Sequence, residues 1–210
     1  MRIPSRAFMR PIVRECRAVR FPRMPFPMPI RTPSVAPATL PSTVLAIAAT
    51  ALALSACSPA FNWRTVRPEA SALQALMPCK PDEARRDTPL GGALTPLNML
   101  SCEAGGATFA LAWADLGQAE RVPAALVQWR AASLVSLKAA PEAARSWTQA
   151  VPGAERVDGL DVQGVRHDGT ATRAQVLYFA RGTRVYQAAI YGSGTAPEEI
   201  STFFEGLQLP

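Results

Sequence analysis

Residues 160–191 read LDVQGVRHDGTATRAQVLYFARGTRVYQAAIY. Three runs rich in β-branched and aromatic residues lie here: Leu160 to His167, Ala171 to Phe179 and Arg184 to Tyr191. Asp168-Gly169 and Arg181-Gly182-Thr183 separate them. Glycine accepts positive φ at little cost, so each break reads as a turn and the stretch predicts a three-strand meander. Just downstream, Thr195 and Glu198 stand three apart with Pro197 between them, the spacing of a capping box with proline in the first turn. Ile200, Phe203, Phe204 and Leu207 then recur at helical spacing, and Gly206 is placed to stop the helix. An apolar helical stripe must be buried, and the meander is the surface at hand.

Upstream of the meander the same order stands, several strands and then a helix. Val122 to Ala139 predicts a helix, with Pro123 tolerated in its opening turn and Pro141 ending it. Its stripe is Val122, Leu126, Trp129, Ser133 and Leu137. Residues 141–158 show no clear periodicity. Before the helix, Phe61 to Val66 alternates like a half-buried strand, and Leu73 to Met77 is a second apolar run ended by Pro78-Cys79-Lys80-Pro81. Arg85 to Leu90 is a weaker strand stopped by Gly91-Gly92. Leu97 to Glu103 meets Ala107 to Trp113 across Ala104-Gly105-Gly106, a hairpin signature. In the second of these strands Phe109, Leu111 and Trp113 share one face and Ala110, Ala112 and Ala114 the other. Neither face is polar, so both are expected to be covered.

The expected fold is therefore α+β: an antiparallel sheet of six to seven strands covered by helices, an α/β/α sandwich. This element order, with the closing run from Ile200 to Leu209, is similar to the PsbP/Mog1-like family over residues 61–210. The resemblance implies a binding or assembly role. It includes no active-site motif, and no functional residue is carried over from it.

The N-terminal part reads as an export signal. Val44 to Ala56 is an uncharged apolar run, too short for a roughly 30 Å hydrocarbon core and suited to a signal-peptide core. Leu54-Ser55-Ala56-Cys57 follows and resembles the bacterial lipobox. The resemblance implies cleavage after Ala56, diacylglycerol on the Cys57 thiol and a further acyl chain, palmitate-like, on its amine. Two or more chains hold a protein stably on a membrane. Ser58 in place of aspartate implies, by resemblance to enterobacterial sorting, the outer membrane facing the periplasm, with the inner membrane as the alternative. Residues 1–56 are thus expected to be a signal peptide, 57–60 a lipidated tether and 61–210 one domain. The segment before the apolar core is long, and Met24 or Met28 would serve as a later start. The chain also resembles proteobacterial lipoproteins of similar size.

Charge supports that division. Of 22 basic residues, eight arginines lie before Cys57 with one acid, which leaves 14 bases against 15 acids in the rest. A near-neutral body has no electrostatic reason to bind nucleic acid. With Cys16 in the leader and Cys57 lipidated, Cys79 and Cys102 remain, an even pair that reads as a disulfide in an oxidising compartment.

The chemistry-bearing residues are few. His167 is the sole histidine and sits at a turn, which weighs against metal sites and histidine-dependent triads. Asp82-Glu83 and Glu198-Glu199 read as solvated or helix-capping charges. No glycine cluster matches a phosphate-binding pattern. No catalytic residue, metal or cofactor is expected. Most aromatics fall in phase with core positions; Trp147 does not, and with Tyr191 it is the candidate recognition pair. The function expected is a non-enzymatic, lipid-anchored envelope module binding a protein or envelope component. The alternatives are a carrier for a small apolar ligand held between sheet and helix, and an enzyme using carboxylates alone.

Overall fold

The computed structural model describes residues 60–210. The leader, its start and Cys57 lie outside the described residues. Strands β1 (Arg64–Val66) and β2 (Ala75–Met77) pair antiparallel as a small two-stranded sheet. The main sheet has seven strands: β3 (Asp82–Leu90), β4 (Ala93–Ala104), β5 (Ala107–Asp115), β6 (Arg145–Trp147), β7 (Arg156–Val165), β8 (Ala171–Arg181) and β9 (Arg184–Tyr191). Helix α1 (Val122–Ser136) falls between β5 and β6, and α2 (Pro197–Glu205) follows β9.

The strand order is β3-β4-β5-β9-β8-β7-β6, antiparallel throughout. Two meanders thus join at β5 and β9, and α1 supplies the connection from one to the other. The meander expected at 160–191 is β7-β8-β9, with Gly169 and Gly182 at positive φ in its turns. The ambiguous segment 141–158 holds a 3-10 turn at Pro141–Ala143 and the short edge strand β6.

Because side chains alternate along a strand, the central strands feed two cores. Phe109, Leu111 and Trp113 of β5 join Phe179, Tyr186 and Ile190 under α2 and the β1–β2 sheet. Ala112 and Ala114 join Val162, Val176, Tyr178 and Val185 under α1. Both faces of the sheet are covered, as the apolar character of both faces of β5 requires. The fold is an α+β sandwich.

The helix ends carry two corrections. α1 stops at Ser136, ahead of Ala139, and Pro141 is not what stops it. Lys138 takes φ 51°, the Lys138 N–H donates to Val135 O and the Ala139 N–H to Leu134 O. These two bonds close the helix as a Schellman motif with lysine where glycine is usual. At α2 the N-cap is Ala196, with no side-chain cap bond, and Thr195 Oγ1 is buried without a partner among the described residues. Pro197 at the first helical position places the cap one residue later than a Thr195 box requires. Gly206 does end α2, but at φ −73°. Its hydrogen side chain is needed for close approach, since a Cβ there would lie 2.8 Å from Leu76 Cβ on β2.

Cys79 and Cys102 form a disulfide (S–S 2.07 Å, Cα–Cα 6.0 Å) that ties the end of β2 to β4. On the same face Phe61 and Trp63 stack 5.9 Å apart and both meet Phe109 edge-on. The regular strand there is Arg64–Val66, shorter than expected, although the Asn62 N–H still donates to Pro78 O at 2.7 Å and Phe61 and Trp63 pack against the core.

Candidate functional site

Antiparallel register lines residues up across a sheet, and partners opposite one another share a face. One row runs Arg85, Asn98, Trp113, Tyr186, Phe179, Val157. The next runs Glu83, Leu100, Leu111, Ala188, Leu177, Gly159, Trp147. Toward β3 the two rows leave the cover of α2 and become charged. There they floor a cleft of about 570 Å³ with Glu83, Arg85, Asn98 and Trp113. Its wall is Arg67-Pro68-Glu69, from the loop joining β1 to β2.

That loop is held in a costly shape. Ala70 and Ala72 have φ 54° and 51°. A left-handed conformation costs an L-residue of order 1 kcal/mol and persists only where its surroundings impose it. Here they do. Ser71 is fully buried between the two alanines, its Oγ donates to Pro68 O at 2.7 Å, and it accepts from the Leu73 N–H at 3.0 Å. Tyr186, one residue inward from Trp113 in the row, donates its O–H to Ser71 O at 2.6 Å. Burial pushes the Tyr186 phenol above its ordinary value, so the donor stays protonated. Arg67 Nε donates to Gln74 Oε1 at 2.9 Å, and Gln74 exchanges two backbone bonds with Gln208.

Tyr186→Phe should therefore lower stability by about 1–3 kcal/mol, the cost of leaving a buried carbonyl unpaired. Urea denaturation measures the loss, and amide exchange should quicken first in residues 67–73. Unchanged exchange there would mean the loop keeps its shape without the phenol.

Two features suit the cleft to recognition. Trp113, 6% exposed, lines the cleft floor, and its buried Nε1–H has no acceptor among the described residues. Arg67, Glu69, Glu83 and Arg85 form no ion pair among the described residues, so both signs of charge are available. Glu69 and Glu83 stand among two guanidiniums, a mixed setting and not an acid-rich one.

The expected recognition pair is not brought together. Trp147 faces the α2 core, half-buried, with its ring centroid 4.9 Å from Phe204 and its indole over Gly159, where a Cβ would collide with Trp147 O. Tyr191 lies on the opposite face, packed against the α1 core, and burial pushes its phenol up to about 12. Arg166 donates to Tyr191 O at 2.9 Å and to Thr108 Oγ1 at 3.2 Å. His167 is exposed in the β7–β8 turn. Phe109, Phe179 and Phe203 pack the layer under α2, and Trp129, Tyr178 and Leu160 the layer under α1.

Trp113 was legible only as core, being in phase with Phe109 and Leu111. Its place at the cleft comes from its pairing with Asn98, and Asn98 with Arg85, which no local pattern announces.

Among the described residues, no group of three or more His, Cys, Asp or Glu side chains is placed to hold a metal ion, and no helix is long and apolar enough to cross a membrane. No family model matches the chain, and no curated protein does. Among solved structures it is similar to the crystal structure of PA94, a Pseudomonas aeruginosa protein of unknown function, at 15% identity. The likeness covers 66% of this chain and 86% of that one, with a TM-score of 0.32.

Proposed function

We propose that this chain is a lipid-anchored binding or assembly module of the cell envelope, on the outer membrane facing the periplasm, and that it engages its partner at the Trp113 cleft. The anchor reading rests on the apolar run 44–56 ending in Leu54-Ser55-Ala56-Cys57. The observation that carries the binding reading is the cleft itself, where Trp113 and four charged side chains in no ion pair among the described residues meet beside a strained loop. A partner offering groups of both charges is the chemistry this lining would recognise. The PsbP/Mog1-like resemblance points the same way, toward binding without catalysis.

One experiment tests both halves. A photoreactive residue at Glu83, on the cleft floor, is compared in cells with the same residue at His167, exposed in the β7–β8 turn, with Cys57 intact or replaced by alanine. A discrete adduct from position 83, lost in Cys57→Ala and in Arg67→Glu/Arg85→Glu, is the expected result. Radiolabelled fatty acid in the same cells should mark the wild type and not Cys57→Ala. Unlabelled wild-type protein would overturn the anchor; equal adducts from both positions would overturn the cleft.

A further inference from the structure

Helix α1 presents an outward face without a single charge. Pro123, Ala124, Val127, Ala131, Ala132 and Val135 are exposed, Val127 at 70% and Val135 at 78%. The two polar residues on that face are turned away from it. Gln128 Nε2 donates to Pro89 O at 3.0 Å while Gln128 Oε1 accepts from the Gly91 N–H at 2.9 Å. Ser136 Oγ donates to Ser133 O at 2.9 Å. The helix's one charge, Arg130, is spent inward on Asp158 at 2.9 Å and Gly159 O at 3.1 Å. A helix apolar on both sides is normally covered on both.

We infer that a second copy of this chain covers it, through an antiparallel α1–α1 contact about a two-fold axis near Ala131. Three observations favour a copy over other occupants. First, the face complements itself. Val127, Ala131 and Val135 form a ridge at four-residue spacing beside the row Ala124, Gln128, Ala132, in which Gln128 is tied down to Pro89 and Gly91, and a two-fold sets each ridge against the other's row. Second, its ends complement each other in charge. Lys138 and Glu142 lie exposed past the C-terminal end, and Glu155 and Arg156 rim a groove of about 550 Å³ beside Pro123 and Val127 at the other. Antiparallel pairing lays each end on its opposite. Third, the chain enters on the far side of the sheet. Phe61 packs over Gly105 and Phe109 under the α2 layer, and three residues from Cys57 to Ala60 span at most about 11 Å. A lipid on Cys57 therefore holds the membrane near the other face and leaves α1 open.

The contact is modest. A 15-residue helix is about 22 Å long, and its face with the groove buries roughly 400–500 Å² per copy, below the ~800 Å² of a standard-sized interface. The dimer is expected to be weak and concentration-dependent, favoured where copies share a membrane.

Sedimentation velocity of the full-length chain in nonionic detergent, across a hundredfold range of concentration, reads the association. The wild type should pass from monomer to dimer. Val127→Glu/Val135→Glu and Val127→Lys/Val135→Lys should each weaken self-association at least tenfold with unchanged circular dichroism, since both positions are exposed. Mixed together, the acidic and basic variants should recover a heterodimer. A wild type that stays monomeric throughout, a dimer that survives in either double variant, or a mixture that stays monomeric would each overturn the inference.

Discussion

Phe203→Ala should lower the unfolding free energy by about 3–5 kcal/mol, the range for truncating a buried aromatic in a close-packed core. Phe203 is fully buried, with its ring 5.3 Å from Phe109 and 5.1 Å from Phe204, both edge-on. Few neighbours can collapse into the space. Phe109 is already held by Phe61 and Trp63, and Phe204 by Trp147. A domain of this size has about 5–15 kcal/mol in all, so the variant sits near the edge of folding. Urea denaturation measures the loss, with Val135→Ala, at an exposed position, expected within about 0.5 kcal/mol of wild type. A loss under about 1 kcal/mol for Phe203→Ala would mean that α2 is not docked as described. The consequence reaches the cleft. α2 runs into Leu207 and Leu209 of the same core, and Gln208 bonds Gln74 at the end of the walling loop. Loosening α2 therefore loosens the Arg67–Glu69 wall, and adducts at position 83 should fall with stability.

The parts of this architecture carried by local chemistry were legible. Gly169 and Gly182 mark two turns of the second meander, and the Phe203–Phe204–Leu207 stripe marks the helix that covers one face. The alternation in β5, apolar on both faces, announced a sheet covered twice. Where two local signals competed, reading fell short. Thr195–Glu198 has capping-box spacing, but proline at the first helical position is the stronger constraint and moves the cap to Ala196, whose side chain cannot cap. Lys138 closes α1 in a conformation that glycine ordinarily marks, so the sequence announces no end before Ala139 and the proline beyond it. The cleft was not legible, for a different reason. Arg85, Asn98 and Trp113 come from three strands, and only register aligns them. The same limit separated Trp147 from Tyr191: parity within a strand says which residues share a face, and nothing about parity between strands far apart in sequence.

Reducing the Cys79–Cys102 bridge, or replacing both cysteines with alanine, should cost about 3 kcal/mol. The bridge spans a sequence separation of 23 residues. In the chain-entropy account, closing a loop of this length removes that much freedom from the unfolded chain, and the folded state changes little. The urea midpoint should fall by about 1–2 M. The slope should rise as well, because an uncrosslinked chain exposes more surface on unfolding. A lower midpoint with an unchanged slope would place the effect in the folded state. Local consequences should be uneven. Cys79 lies two residues past β2 and Cys102 sits in β4, so the bridge pins the β1–β2 sheet over the face that holds the cleft. Without it the small sheet keeps Phe61, Trp63 and the Gln74–Gln208 bonds, so the wall should loosen and remain. Adduct formation at position 83 should then weaken before global unfolding begins. The bridge also links stability to address. A chain retained in a reducing cytosol lacks these 3 kcal/mol, while an exported one gains them when the thiols oxidise. Protein made without residues 1–56 in the cytosol should therefore unfold at the reduced midpoint and move to the oxidised one on treatment with an oxidant. If the two preparations unfold together, the crosslink adds nothing to stability, and α2 with the Phe61–Trp63–Phe109 cluster alone holds the small sheet in place.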